Sequence, residues 1–474
     1  MMTRRTFVAL TLGPQQSKEV STVLPQTMLS SSTAHTRALR TARLPLKRAA
    51  LFALRACSLA LAVSLLLCAH ASADGIKKES PAQAEFKKGL AQFNLKNYAD
   101  AEASFKRAIQ LDPKYPAPYL GLSDLSQQKG DQAAAATFLR KAVALAPDNS
   151  GVQAAWGHFL FNQKKFPEAE QALRKAVQLD PKSPGVRSLL GDLYFLGLKK
   201  APEAITFYKE SLALNPSDAH TNFMLGVALL ASGKPDEGEQ QFVKARDADP
   251  KDPVIRKNLA NLELRRDELD PASQNYQEAS NLVPKEAWPQ IGIGDVSLRR
   301  KDYKRAAGAY QTALTLDPKS AEAQTKLAMS QDLSGDHQSA EMSYKKALEM
   351  DPKDAVAANN LAWLLAIKEK RPKDGLPWAE KAVAINPQSP NFQDTRGWIM
   401  YTAGDAPGAL TALKKAAELA PQNPSILYHL GVVYQELGKS SLASENFTKA
   451  LAIDKNFDGA DDALRRLSSI HAPG

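Results

Sequence analysis

Cysteine is almost absent from this chain of 474 residues. Cys57 and Cys68 are its only two, and both lie within the first 73 residues. If that segment is removed, the mature protein has no cysteine, which excludes disulfides, thiol catalysis and cysteine-bound zinc. Histidine is scarce as well, with seven residues and no pair spaced i, i+4, so a helical H-E-x-x-H metal site is also excluded.

Motifs that carry catalytic chemistry are missing too. The chain has no G-x4-GK-[ST] phosphate loop and no G-x-S-x-G nucleophile turn. The nearest glycine-rich feature, Gly292-Ile293-Gly294, lacks a third glycine. We therefore expect no catalytic residues, no metal, no cofactor and no enzymatic activity.

Acidic residues are rare at the start of the chain. The formal charge of the whole chain is +10, yet residues 1–73 contain nine basic residues and a single acid, Glu19. The basic character therefore belongs to this leader, and the remainder is close to neutral. A near-neutral body argues against nucleic acid as a partner, because such binding relies on clustered cations.

The end of the leader has the pattern of an export signal. Four basic residues precede an apolar core at 56–69, and the small residues Ala71-Ser72-Ala73 follow. This order is typical of a secretory signal peptide, with cleavage after Ala73, and the core is short for a transmembrane helix. Residues 74–81 would then be a short linker.

Other readings of the leader remain open. Thr3-Arg4-Arg5-Thr6-Phe7-Val8 is similar to a twin-arginine signal, and the Arg- and Ser-rich, acid-poor start also fits a mitochondrial transit peptide. Lipidation at Cys68 is disfavoured because Leu67 precedes it. We expect a periplasmic or secreted bacterial protein; the alternatives are a membrane-anchored protein that retains its leader, or a mitochondrial one.

A period of 34 or 35 residues runs through the rest of the chain. Ten prolines mark it: Pro113, Pro147, Pro181, Pro216, Pro250, Pro284, Pro318, Pro352, Pro387 and Pro421. Five residues before each proline stands an alanine or serine, and Ala450 repeats that position an eleventh time. Such a period indicates a repeat architecture rather than one globular core.

Two further columns of small residues accompany the prolines. The earlier column consists of Gly89, Ser123, Gly157, Gly191, Gly226, Ala260, Gly294, Ala328, Ala362, Gly397 and Gly431. The later column consists of Ala101, Ala135, Ala169, Ala204, Gly238, Ala272, Ala306, Ala340, Gly375, Ala409 and Ala443. A bulky residue such as Phe105 usually follows the later column by four positions, so it shares a helix face with it. Small residues at these places let neighbouring helices approach closely.

This pattern resembles the tetratricopeptide repeat, W-x2-L-G-x2-Y, then A-x3-F, A and P. Leu430-Gly431, Tyr434, Ala443, Phe447 and Ala450 reproduce it nearly whole. The resemblance implies an all-α, right-handed superhelical solenoid of about eleven helix-turn-helix units over 82–457. The predicted units are 82–115, 116–149, 150–183, 184–218, 219–252, 253–286, 287–320, 321–354, 355–389, 390–423 and 424–457.

Two details of the array can also be predicted. The extra residue of each 35-residue unit is expected in the turn between its helices, near Leu198–Lys200 and Glu369–Pro372. Residues 458–474 would form a capping helix and tail, with an apolar stripe that covers the end of the stack. That stripe consists of Ala460, Ala463, Leu464, Leu467 and Ile470.

The resemblance further implies that first helices line a concave face that binds other proteins or peptides. On this face we predict the partner-binding residues Asn359, Trp363, Asn391, Trp398, Tyr401, Tyr428, Trp288, Phe161 and His158. Aromatic rings offer contact area and amides can bond a peptide backbone, although any one ring could instead be core. The face is expected to be slightly acidic, with Asp124, Asp192, Asp295, Glu322, Asp332, Asp394 and Glu436 against Lys257, Arg265 and Arg299.

The sequence therefore predicts a non-enzymatic scaffold or adaptor that captures partner proteins. A membrane-tethered factor for envelope assembly or polysaccharide export, and an organellar import or assembly protein, are alternative functions. In some family members a basic and amide clamp binds chaperone C-termini. Lys257 and Asn261 match two of its positions, but Gly292 and Glu322 break the pattern, so we reject a clamp of this kind.

Overall fold

The computed structural model describes residues 79–471. The predicted signal core, the cleavage after Ala73 and both cysteines lie outside the described residues. The described chain contains 23 α-helices and forms two compact lobes, the N-terminal lobe up to residue 334 and the C-terminal lobe from residue 335. Each lobe is described by itself below.

The N-terminal lobe consists of helices α1–α15, paired as first and second helix of successive repeats. They are α1 Pro81–Asn94, α2 Tyr98–Leu111, α3 Ala117–Gln128, α4 Gln132–Leu145, α5 Ser150–Asn162, α6 Phe166–Leu179, α7 Pro184–Asp192, α8 Ala201–Leu214, α9 Ala219–Ala231, α10 Pro235–Ala248, α11 Pro253–Arg265, α12 Leu269–Leu282, α13 Trp288–Arg299, α14 Tyr303–Leu316 and α15 Ala321–Leu333. Within this lobe, each helix from α1 to α14 packs against the one that follows it.

The C-terminal lobe continues the same alternation. Its helices are α16 His337–Met350, α17 Ala355–Trp363, α18 Pro372–Ile385, α19 Pro390–Thr402, α20 Ala406–Leu419, α21 Pro424–Glu436, α22 Ser440–Ile453 and α23 Ala460–His471. Consecutive helices again pack together, and the first helices α17, α19 and α21 also contact one another in sequence order. The all-α solenoid class predicted from the repeat period is confirmed.

Local sequence explains where these helices begin and end. Asp131 and Asn149 accept hydrogen bonds from the backbone N–H groups of Ala134 and Val152, at 2.9 and 3.0 Å, and so cap α4 and α5. Proline at the first helical position of α11 and α21 needs no hydrogen-bond acceptor there. Each recurring proline of the period stands just past the end of a second helix, because it disfavours helical geometry in the residue before it.

The small columns bring the two helices of each repeat into close contact. A β-carbon added at Gly294 would lie 2.4 Å from the Tyr310 ring, and one added at Gly89 would lie 2.6 Å from the Phe105 ring. Both rings are fully buried. The bulky residue of the second helix therefore occupies the space that the missing side chain of the first helix leaves.

The extra residue of the two 35-residue repeats is not in the predicted turns. It lies in a π-helical turn that ends each first helix, at Leu193–Gly197 after α7 and at Leu364–Lys368 after α17. The N–H groups of Leu198 and Glu369 donate to carbonyls five residues earlier, at 2.9 and 3.0 Å. A π-helical turn accommodates one extra residue within the helix, so the buried side chains before and after it keep their packing. A longer loop between the helices would not ensure this.

The predicted capping helix is present as α23, with one correction. Ala460 and Ala463 are buried, and Leu467 and Ile470 pack on the same core. Leu464, by contrast, is 50% exposed and lies outside the apolar stripe. The apolar stripe is therefore narrower than predicted. Asp462 of the same helix accepts a hydrogen bond from the Tyr428 hydroxyl of α21 at 2.9 Å. No helix in the described part of the chain is long and apolar enough to cross a bilayer.

Candidate binding surface

The predicted partner-binding residues of the C-terminal lobe lie on three first helices that contact in turn. Asn359 and Trp363 are on α17, and Asn391, Trp398 and Tyr401 are on α19. Tyr428 is on α21. All six side chains are half-buried, so each presents part of its surface to solvent. We call this set the aromatic surface.

Trp398 is at the centre of the aromatic surface. Its ring centroid lies 5.1 Å from that of Tyr401 and 6.2 Å from that of Tyr428. It also stacks on His429, with centroids 4.0 Å apart and planes at 22°. The His429 ring is fixed in turn, because its Nδ1 lies 2.8 Å from Oδ1 of the buried Asp394. The Trp398 ring is thereby held in one orientation before any partner binds.

Tyr428 is held partly within the core. Its hydroxyl donates to Asp462 of α23 at 2.9 Å, and its ring packs on Phe447 and Phe457 with centroids 6.1 and 5.8 Å away. Burial raises the pKa of the Tyr428 hydroxyl, and the hydrogen bond to Asp462 adds to the shift. This residue therefore joins the surface to the capping helix and has no free hydroxyl to offer a partner.

Asn359 forms few hydrogen bonds, and Trp363 has no neighbouring aromatic ring among the described residues. Asn359 Nδ2 approaches Asn360 Oδ1 at 3.5 Å, while its Oδ1 is buried without a hydrogen bond among the described residues. Trp363 has no aromatic partner in that part of the chain. The π-helical turn begins at the next residue, Leu364. The exposed part of the Trp363 ring is accordingly available for contact with another molecule.

In the N-terminal lobe the predicted residues do not form one cluster. Phe161 is buried in the core against Phe166, with ring centroids 6.1 Å apart. Trp288 stands at the start of α13, and Lys257 Nζ lies 4.8 Å from its ring centroid. Burial lowers the pKa of Lys257, and Glu322 and Glu286 oppose that shift. Such a cation–π pair is a known way to fix a partly buried lysine.

His158 belongs to a polar group on neighbouring first helices. Burial lowers the pKa of His158, opposed by the charge of Asp192 and aided by that of His220. His220 Nε2 lies 3.2 Å from Asp192 Oδ2, and Asn162 Nδ2 lies 3.4 Å from His158 Nε2. The first contact joins two successive repeats and the second lies within one helix, so His158 has a structural surrounding as well as partial exposure.

Several acids of the predicted acidic face are neutralised internally. Tyr208 donates to Asp192 at 2.8 Å, in addition to the contact with His220. Asp295 receives the Tyr310 hydroxyl and the Lys326 ammonium, each at 2.7 Å. The basic partners Lys326, His220 and His429 belong to the repeat that follows the acid. The two tyrosines belong to the same repeat as their acids. The face is therefore less acidic than the count of carboxylates indicates.

Sequence models of known families match most of the described chain. Those described as tetratricopeptide repeat match residues 92–156, 155–219, 195–262, 291–355, 343–375 and 424–457, and one described as TPR repeat matches 397–438. The chain belongs to the tetratricopeptide repeat family. Family membership agrees with the helix pairing and with the columns of small residues described above.

Solved tetratricopeptide structures resemble the chain at low sequence identity. Yeast Tom70 matches with 16% identity and a TM-score of 0.43, over 83% of this chain and 96% of that one. The APC/C hetero-tetramer Cut9-Hcn1 matches with 13% identity and a TM-score of 0.43, over 83% and 90%. YrrB, titled a TPR protein with an unusual peptide-binding site, matches with 23% identity and a TM-score of 0.34, over 41% and 100%.

At these identities and TM-scores, the solved structures do not indicate what this chain binds. No characterised full-length relative matches the sequence significantly. What the tetratricopeptide surface of this chain binds must therefore be argued from its own side chains. Within residues 79–471, no three His, Asp or Glu side chains are arranged to hold a metal ion.

Two residues that support the aromatic surface, Asp394 and His429, are absent from the predicted partner-binding residues. The sequence indicates Asp394 only as an acid of the concave face and gives no reason to single out His429. They lie 35 residues apart, one repeat length, on neighbouring first helices. The sequence signal for this pair is an acid and a base one repeat length apart on first helices. The pair Asp295 and Lys326, which are 31 residues apart, does not have this spacing.

Proposed function

We propose that this tetratricopeptide protein is a non-enzymatic scaffold that binds extended segments of partner proteins on its first helices, chiefly at the aromatic surface. The observation that carries the proposal is the fixed Trp398 ring, which stacks on His429 and is flanked by half-buried Tyr401. Rings held in place lose little conformational freedom on binding, so their contact area contributes more fully to affinity.

Amide groups beside the rings suit an extended main chain. Asn359 and Asn391 lie on consecutive first helices next to the two tryptophans. An amide can both donate to and accept from a peptide group. The Nδ2 of Asn359 has one long hydrogen bond, to Asn360 Oδ1 at 3.5 Å, and so keeps donor capacity for a peptide carbonyl.

The test replaces both tryptophans of the aromatic surface, which are half-buried. Trp363→Ala together with Trp398→Ala should lower the affinity for a selected peptide by at least about 100-fold, since each ring is a large interface anchor. Peptides selected from a displayed random library on the full-length protein provide the probe, and fluorescence anisotropy gives the dissociation constant. Helicity by circular dichroism should remain near that of the unmodified protein.

Trp378→Ala is the matched control. Trp378 is also half-buried but stands on the second helix α18, where Lys381 Nζ lies 5.2 Å from its ring centroid. It should bind the selected peptides as the unmodified protein does. Unchanged binding by the double variant would show that partner segments do not use the aromatic surface.

We also propose that the protein acts after export, with its leader removed. The order of basic residues, apolar core and Ala71-Ser72-Ala73 supports export to the periplasm or medium of a bacterium. N-terminal sequencing of the protein made in its own cells should give a start at Asp74. An intact leader would instead favour the membrane-tethered alternative, and recovery in a mitochondrial fraction would favour organellar import or assembly.

A further inference from the structure

In each repeat, one position directly follows the residue of the earlier small column, which runs from Gly89 to Gly431. In several repeats this position has a hydrogen-bond donor on the second helix. It is polar in five repeats, and in three of them a tyrosine hydroxyl donates to it: Tyr208 to Asp192, Tyr276 to Asn261 and Tyr310 to Asp295, at 2.8, 2.6 and 2.7 Å. Each tyrosine stands four residues after the small residue of its second helix. A polar residue at this position is thus normally matched by a built-in donor.

The two acids among these residues also receive a base from the following repeat. His220 Nε2 lies 3.2 Å from Asp192, and Lys326 Nζ lies 2.7 Å from Asp295. A carboxylate at this place therefore has two internal partners, one tyrosine and one basic side chain. Such double pairing is what keeps a buried carboxylate charged at modest cost.

Asp124 occupies the same position on α3 and lacks both partners. The buried Leu139 stands where the other repeats have tyrosine. At the places of His220 and Lys326, the next repeat has Gly151 and Ala155. Among the described residues the carboxylate receives a single hydrogen bond, from Gln127 Nε2 at 3.4 Å, near the upper limit for such a bond.

The electrostatic consequence is a carboxyl group that is poorly stabilised as an anion. Burial raises the pKa of Asp124 to about 8, with no compensating charge. The lysine at the end of the same helix, Lys129, is held by Glu102 at 2.5 Å instead. The side chain is nevertheless half-buried rather than sealed, so a group from outside can reach it.

We propose that Asp124 binds a lysine or arginine side chain of a partner segment that lies on the first helices of the N-terminal lobe. The inference rests on the proposed function and adds a charge requirement to it, at a point in the N-terminal lobe. A partner cation would take the place that His220 and Lys326 take at Asp192 and Asp295. The glycine and alanine of the following repeat leave that place without a bulky side chain.

The test compares peptides selected from a displayed random 12-residue library on the full-length protein and on Asp124→Asn. Only peptides whose binding survives Trp363→Ala together with Trp398→Ala are compared, because these do not depend on the aromatic surface. The absence of such peptides would overturn the role of Asp124. Asparagine keeps the shape of the side chain and removes the charge. Peptides selected on the unmodified protein should share a lysine or arginine, and this preference should be lost on the variant. Asp100→Asn, an exposed acid on α2, changes the net charge equally and should select the same basic peptides as the unmodified protein.

A synthetic pair then measures the effect directly. Replacing the shared arginine by citrulline, or lysine by norleucine, should weaken binding to the unmodified protein by about 10- to 100-fold. This change in affinity corresponds to the loss of one charge-assisted hydrogen bond. Asp124→Asn should bind both peptides of the pair alike. Selected peptides with no basic residue, or an equal loss on the variant, would overturn the role of Asp124 and leave the scaffold function standing. Failure of any peptide to be enriched would overturn both.

Discussion

At the scale of single residues, Asp124 gives the N-terminal lobe a pH dependence that can be measured. Its pKa is raised to about 8 by burial, whereas an unfolded aspartate has a pKa of about 4. Between these values the folded protein holds a proton that the unfolded chain has released, so stability falls as pH rises. We expect the free energy of unfolding in urea to fall between pH 6.5 and 8 by up to about 1.4 kcal/mol for each pH unit.

Asp124→Asn should remove this part of the slope. Histidines titrate at about pH 6.5 in the unfolded chain, but they are the same in both proteins, so their contribution cancels when the two slopes are compared. Urea unfolding followed by circular dichroism at three pH values provides the comparison. Identical slopes for the variant and the unmodified protein would mean that the carboxyl group is already ionised in the folded state.

The residues of the candidate surface were predictable only in part. The repeat register placed Trp363, Trp398 and Tyr401 on first helices, and the structure finds them there. It could not reveal that His429 stacks on Trp398 or that Asp462 holds Tyr428, because these contacts depend on side-chain orientation between different repeats. Phe161, although at an equivalent position, is buried, since its neighbours rather than its register decide its exposure.

At the scale of helix pairs, the first small column sets how closely two helices approach. Gly294→Ala would place a methyl group 2.4 Å from the Tyr310 ring. The ring is fully buried and its hydroxyl is held by Asp295, so it cannot move aside freely. We expect a loss of about 1–3 kcal/mol in the free energy of unfolding, the usual cost of overpacking a core.

Gly308→Ala tests the same substitution without the clash. Gly308 lies on α14 of the same repeat, and an added β-carbon there would meet nothing within 4 Å. Because alanine favours a helix over glycine by up to about 1 kcal/mol, this variant should be slightly more stable than the unmodified protein. Equal effects at the two positions would contradict the role assigned to the small column.

Helix pairing could be predicted from sequence almost completely, but the irregular turns could not. Proline and small-residue columns mark helix ends and contacts because each obeys a local rule. The inserted residue of the longer repeats obeys no local rule. Leu193, Leu364 and Leu365 are buried in the π-helical turns, and keeping them packed outweighs the poorer hydrogen-bond geometry of those turns. This balance between side-chain packing and hydrogen-bond geometry depends on the folded protein and cannot be predicted from local sequence.

At the scale of the whole molecule, a repeat protein is stabilised from neighbour to neighbour, so its ends matter more than their size indicates. In the C-terminal lobe the end is α23, which covers Phe457 and joins Tyr428 through Asp462. Leu467→Ala should lower the free energy of unfolding of this lobe by about 2 kcal/mol, in the range of a partly buried leucine. Leu464→Ala, on the exposed side of the same helix, should change it by less than about 0.5 kcal/mol.

The position of the damage distinguishes a true cap from an ordinary surface helix. If α23 closes the stack, hydrogen exchange in Leu467→Ala should accelerate most in α21–α23 and least in α16, because each repeat is supported chiefly by its neighbours. The aromatic surface should also lose affinity for selected peptides, since Tyr428 lies between α23 and Trp398. Uniform acceleration of exchange across the lobe would contradict the role of α23 as a cap. Unchanged peptide affinity despite faster exchange in α21 would show that the capping helix and the aromatic surface are not coupled.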